Sequence, residues 1–497
     1  MKTTQPIIKR SLKPGMFLFI QAFLFLIIII ITAGYNIFNL KREFCVYAVS
    51  IVIVVCFLYA IWSWSAITGR LFDPYVLFLV AAMLFTGGQA IIEIFNIKPA
   101  AIFDVYNRVQ ATTVLSALFL VSIGLLSFQS GGMIAALQSM SKKTQTHPRR
   151  FIDPNRVRFA LRTVGWFLLL LSVLLAINQL RTTINAVTYG GYGAFFQIDW
   201  GTGLEGSQKI LALFLVPGVL FLLAGSKGKP FFLLVSALLI LPYVITQFFI
   251  GSRMLAVMPL IAYAWLWHRS IRPLPRMLLL LSGTIMVLVV FPLISVYRTT
   301  AGAIRLNSPS LLLETFFSIE NPLVSSISEM ASTIFPIART LELVPSFRPF
   351  ALGSSYYYSL LTLAPNLFWS IHPSSTNELG RWFSWTVSPA YAAVGGGWGF
   401  SFVAEAYMNF GWLGMPIVLM LMGYIYARFV LWANKTGDLA KMAFLASFSS
   451  FFFLFARGES ASLPRYFIWY SFLPYVMVMF ITKVRVGSVR SKVRSSS

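Results

Sequence analysis

The chain is poor in charge, acid, histidine and cysteine, and each scarcity removes a class of function. Only 11% of its 497 residues are charged, too few to solvate a soluble domain of this size. Its two cysteines, Cys45 and Cys56, have neither CxxC spacing nor a histidine nearby. A disulfide scaffold and a zinc site are therefore not expected, and both read as buried thiols. There are three histidines, and 15 acidic residues against 39 Lys and Arg. Also missing are an internal repeat, a low-complexity segment and a soluble domain flanking the rest. Lys9, Arg10 and Lys13 precede an apolar run as in a signal peptide, but no small-x-small cleavage site follows, so that run reads as a retained first span.

What the chain has in abundance is apolar sequence: 58% hydrophobic and 16% aromatic residues, gathered in continuous runs of about 17 to 25. Continuous rather than alternating runs indicate helices and not a β-barrel, because a span must satisfy its own backbone hydrogen bonds. The fold class expected is an all-α polytopic membrane protein of about twelve transmembrane helices. They are drawn at 16–34, 44–62, 74–95, 111–139, 159–180, 209–225, 231–250, 254–268, 277–296, 412–433, 441–456 and 465–482.

A net charge of +24 in a soluble protein would suggest nucleic acid, so the placement of the charge decides. With both termini inside, 25 of the 39 basic residues fall on the cytoplasmic side, concentrated in the loop 141–158 and the tail 483–497. Of the acids, only Asp73, Asp153 and Asp438 do so. That is the positive-inside bias of a membrane protein, and nucleic acid is not an expected partner. Basic residues that stay outside against the bias are the informative ones.

Most of the external sequence is one stretch, 297–411, expected to fold as short amphipathic helices capping a site. Within it, Asn321-Pro322 reads as a helix start. Leu323, Ile327, Met330, Ile334, Ile337 and Leu341 then recur at helical spacing until Val344-Pro345, with Ser325, Ser328, Glu329 and Arg339 off the stripe. A second pattern runs from Ser355 to Trp369. From 398 to 433 a straight helix would measure about 54 Å against a hydrocarbon core of about 30 Å, so a break is required. Gly411, Gly414 and Pro416 supply it. In the short helix before the break, Ser401, Glu405 and Asn409 fall at i, i+4 and i+8, a polar line that must face protein or water.

Other external features are sparser. Glu43 stands alone where metal-dependent sugar transferases carry an acidic pair, and Glu93 and Asp104 are eleven positions apart; no metal site is expected. The loop 181–208 is rich in Gly and aromatics, which suit either sugar stacking or interfacial anchoring. Arg253 lies in the tight turn Gly251-Ser252-Arg253, placed to bind lipid phosphate or to fix a phosphate-bearing substrate. Arg457, Glu459 and Arg465 follow the eleventh span.

The Gly251-Ser252-Arg253 turn, the large external loop, Glu405-Ala-Tyr407-Met-Asn409-Phe-Gly411-Trp-Leu-Gly414 and Arg457-Gly458 together resemble the Wzy-type O-antigen polymerases, the oligosaccharide repeat-unit polymerases of bacterial surface polysaccharide and lipopolysaccharide biosynthesis. The resemblance implies a GT-C-like bundle in the inner membrane with its site facing the periplasm. It implies metal-independent glycosyl transfer between undecaprenyl-pyrophosphate-linked oligosaccharides, with no cofactor. Membrane lipid and a chain-length regulator protein are the further partners it implies. Pyrophosphate is already a good leaving group, so such a site needs fixed cations, a base and a sugar groove. Candidates for the cations are Arg253, Arg298, Arg381, Arg457 and Arg465, and for the base Glu405, with Ser401, Asn409, Glu459 and His372 in support. The rivals are an O-antigen ligase using His372, a lipid-linked oligosaccharide flippase or transporter, which predicts short loops on both sides, and a membrane acyltransferase, whose His-Asp signature is missing.

Overall fold

The computed structural model describes residues 14–141, 153–198, 203–299, 321–366, 371–435 and 437–494, with isolated positions between 310 and 319 and at 369. Among them all regular structure is helical and no strand forms. Ten helices are long and apolar enough to cross a membrane, and eleven if one bent pair counts as a span. The elements that matter below are α1 (Pro14–Phe38), α2 (Arg42–Thr68), α3 (Pro74–Phe85), α4 (Gly88–Ile94), α5 (Ala111–Ser141), α6 (Pro154–Gly190), α7 (Leu215–Ala224), α8 (Pro230–Ile250) and α9 (Arg253–Ser270). They continue with α10 (Phe291–Thr299), α11 (Pro322–Ala331), α12 (Ile334–Leu343), α13 (Ser354–Leu361), α14 (Leu379–Val387), α15 (Phe402–Lys435) and α16 (Leu439–Phe452).

One of the twelve expected spans, 254–268, makes the difference between twelve and eleven. It is a continuous helix, α9, but Arg253, His268 and Arg269 at its two ends leave it less apolar than the others. It packs between α8 and α16 inside the bundle. Cys45 and Cys56 are buried and free.

The core forms around α5, which lies between α2 and α15. Helices in lipid gain little from apolar burial against one another, so close backbone approach has to replace it. Gly131 and Gly423 provide that approach. A Cβ on the first would stand 1.8 Å from the Met420 carbonyl oxygen, and one on the second 2.0 Å from that of Phe128. A smaller apolar cluster joins α6, α7, α8 and α9. At the end of α15 away from Glu405, buried Asp73 caps α3 through the Tyr75 amide and accepts from Trp64 Nε1 (3.3 Å) and Asn434 Nδ2 (3.0 Å). One carboxylate thus ties α2, α3 and α15 together.

Three interruptions shape the other end. The pair α3 and α4 bends by 56° at Thr86-Gly87. A π-helical turn at Met286–Val290 frees the Val287 carbonyl, and Ser326 Oγ takes it at 3.1 Å, docking α11. Gly411, at φ 63°, breaks α15 where the length argument required a break. The short helix before it starts at Phe402 rather than Trp398.

The stripe from Leu323 to Leu341 differs from expectation. It forms two helices, α11 and α12, parted at Ser332-Thr333. In α11 the residues expected off the stripe turn inward: Ser328 is 1% exposed and Glu329 9%, while Leu323 is 41% exposed. Periodicity assigned the apolar side to the core, but Glu329 has a charged partner there that offsets part of the cost of burying the carboxylate.

Candidate active site

Residues 401–409 supply the polar line. Ser401 caps the short helix, its Oγ accepting from the Val403 amide at 3.2 Å and its carbonyl from the Glu405 amide at 2.8 Å. Glu405 and Asn409 follow on one face, and all three are buried, at 0%, 1% and 0% exposure. The Glu405 carboxylate receives three neutral donors. Ser355 Oγ (2.8 Å) and Ser460 Oγ (2.7 Å) donate to Oε1, and the Ser460 amide (2.8 Å) to Oε2. Asn409 Nδ2 donates to Ser355 Oγ and to the Glu405 carbonyl, both at 2.8 Å, and Asn409 Oδ1 accepts from the Gly353 amide. Glu405 therefore joins the short helix, the start of α13 and the turn after α16, and its hydrogen-bond partners are hydroxyls and an amide.

Glu459, next to Ser460, does something different. Its two oxygens accept from the Leu379 (2.6 Å) and Gly380 (2.8 Å) amides, the first free donors of α14, where a helix N-terminus favours negative charge. Burial, and the carboxylates of Glu405 and Glu378, push the Glu459 carboxyl well above the usual range, while the two amides oppose them.

The arginines separate into groups. Arg253, leaving the Gly251 turn (φ 90°), pairs with Glu329 at 2.5 Å, both side chains 11% exposed, and Ser295 Oγ donates to the same Glu329 oxygen at 3.0 Å. Arg457 lies over the Phe85 ring, 5.6 Å from its centroid. Contacts connect the two through the bend between α3 and α4. Phe85 ends α3, Gly88 begins α4, and a Cβ on Gly88 would stand 3.0 Å from Cα of Ala331, two residues beyond Glu329. Arg253 and Arg457 thus flank the bend, and Arg457 abuts Gly399, just before the polar line.

The rest of the candidate set has different surroundings. Arg465 Nε donates to the Thr362 carbonyl at 2.6 Å, and His372 Nε2 lies 3.2 Å from that of Ala364. Arg465 thus satisfies the carbonyl of the residue that caps α13, and His372 contacts one in the turn that follows it. His372 Nδ1 accepts from the Ser374 amide, and burial lowers the affinity of its ring for a proton. With both ring nitrogens engaged in local structure, His372 is poorly placed to be the base a ligase would use. Arg381 is exposed, and the side chain of Arg298 lies outside the described residues. Glu93 and Asp104 both bond to Tyr106, one to its hydroxyl (2.8 Å) and one to its amide (3.0 Å). Among the described residues no group of three or more His, Cys, Asp or Glu could hold a metal ion.

Sequence reasoning missed Glu329, Ser355 and Ser460. The only local signal was adjacency of Ser460 to Glu459. The contact at Gly88 gives a direct check on how α11 packs against the bend. Gly88→Leu is expected to push α11 away from α4, lowering stability by about 1–3 kcal/mol. Gly88→Ala needs a shift of only a few tenths of an ångström and should cost much less. Thermal unfolding of detergent-purified protein reads both effects.

No curated relative and no solved structure matches the chain, and the expected likeness to a GT-C bundle is not shown. A model of the family "O-antigen polysaccharide polymerase Wzy" matches residues 17–487, nearly the whole length. This multi-pass membrane protein belongs to the Wzy family of O-antigen polysaccharide polymerases, as its local motifs suggested.

Proposed function

We propose that the protein polymerises undecaprenyl-pyrophosphate-linked oligosaccharide repeat units on the outer face of the inner membrane, without a metal. The observation that carries this reading, beside the family, is a buried carboxylate with neutral partners on the same end of the bundle as two flanking guanidinium groups. A substrate hydroxyl that replaces Ser355 as donor to Glu405 Oε1 would pass its proton there as its oxygen bonds to the anomeric carbon of the donor sugar. The bond from that carbon to the pyrophosphate oxygen breaks, and the leaving group carries away the electron pair. Arg457 and Arg253 take up the charge that develops on it.

The outward orientation rests on the positive-inside bias. In a Cys-free background, Ser375→Cys in the 297–411 stretch should label with an impermeant thiol reagent in intact cells, and Ser141→Cys at the end of α5 should not. The function itself is tested by the lipid-linked glycan that accumulates when the chain is removed. Single repeat units on the lipid are expected, transferred onward as single-unit caps. Full-length lipid-linked polymers would instead identify a ligase, and a build-up of units on the cytoplasmic leaflet a flippase.

A further inference from the structure

An open groove of about 630 Å³ lies apart from Glu405, between the 3₁₀ turn Val105–Asn107 with the start of α5 on one side and the end of α12 on the other. Its volume is within the range of about 300–1,000 Å³ common for small-ligand sites. The walls alternate donors and acceptors. Tyr106 is held by Glu93, which also accepts from Gln89 at 2.7 Å. Glu342 accepts from Thr113 Oγ1 at 3.0 Å and pairs with Arg339. Asn107 and Gln110 are exposed between them.

One end of the groove connects toward the arginines of the candidate site. The Arg108 guanidinium stacks on Trp398, 4.1 Å from the ring centroid, and reaches Phe335 of α12 at 5.4 Å. Trp398 adjoins Gly399, whose Cα side abuts Arg457. The Trp398 backbone is itself held by Ser384 Oγ of α14 at 3.3 Å. The groove and the Arg457 region are therefore joined by one stacked pair and one glycine.

We propose that this groove binds the sugar chain of a lipid-linked substrate, several residues away from the reacting end, and so sets how long a polymer the enzyme holds. This rests on the polymerase reading. The lining suits a saccharide: planar guanidinium forks, amides, a carboxylate and a phenol ring together match neighbouring hydroxyls and a ring face. Its charges, Arg108 and Arg339 against Glu342, leave one net positive charge, and Arg339 is paired with Glu342.

The test uses full-length protein in nanodiscs, with Gln110→Trp to fill the groove from an exposed position and Thr113→Val to release Glu342. Two things are measured: binding of the lipid-free repeat-unit oligosaccharide, and product length from lipid-linked units. Both variants should bind the oligosaccharide about tenfold more weakly, form the first dimer at the wild-type rate and stop at short products. Wild-type binding and product length in a folded Gln110→Trp protein would overturn the proposal. So would an equal loss of dimer formation and long products, which indicates damage to the reaction site. If the wild-type protein binds oligosaccharide in a manner Gln110→Trp abolishes, yet joins no lipid-linked units, the groove stands and the polymerase reading falls.

Discussion

A Glu405→Gln protein is expected to bind lipid-linked substrate as the wild type does and to polymerise it at least about a hundredfold more slowly. Glutamine keeps the volume of the side chain, and its oxygen still accepts from the Ser355 and Ser460 hydroxyls. It cannot take a proton in the transition state. The substitution is not silent structurally, because the new amide would turn a donor toward the Ser460 amide, itself a donor. That mismatch costs about 1–3 kcal/mol of stability. Ser460→Ala supplies the comparison, removing one hydroxyl donor without touching the carboxylate. It should lower thermal stability while leaving single-turnover polymerisation within tenfold of wild type. Polymerisation by Glu405→Gln near the wild-type rate sinks the base assignment. A Ser460→Ala rate that falls as far as that of Glu405→Gln makes Glu405 a pin between three elements.

How the sequence foreshadowed this arrangement follows from the range of its signals. Apolar run length located the spans, since backbone self-sufficiency in lipid is a local property. The break at Gly411 followed from a length of 36 residues set against a membrane thickness, and the buried line Ser401, Glu405, Asn409 from the helical repeat. What periodicity cannot see is a partner far along the chain. Ser355 and Ser460 are 50 and 55 positions from Glu405, and Arg253 is 76 from Glu329. Glu329 misled the reading of α11 for that reason: its neighbours along the helix are ordinary, and the group that makes it an inward residue sits at the start of α9. Arg465 and His372 have backbone carbonyls as partners. Arg465 donates to the carbonyl of Thr362, the residue that caps α13, and His372 lies against that of Ala364, two residues further on.

The second large effect is expected at Arg253, and its sign depends on Glu329. In the structure the guanidinium is already paired, so a pyrophosphate that binds there has to draw Arg253 away from Glu329 or share its paired donors with it. A guanidinium fork can serve a carboxylate on one edge and a phosphate on another, whereas an ammonium cannot present planar paired donors to both. Arg253→Lys should therefore keep the charge and the fold yet lose about ten- to a hundredfold in polymerisation. Arg253→Ala should in addition lose about 3–5 kcal/mol of stability, since it strands a largely buried carboxylate. Glu329→Gln separates this account from a purely structural clamp. Removing the competing negative charge should tighten binding of the lipid-linked substrate and lower its KM, even if turnover slows because the guanidinium is held less firmly. If Glu329→Gln and Arg253→Lys both weaken substrate binding to the same extent, the pair is a clamp that positions α11, and Arg457 is left as the cation for the leaving group.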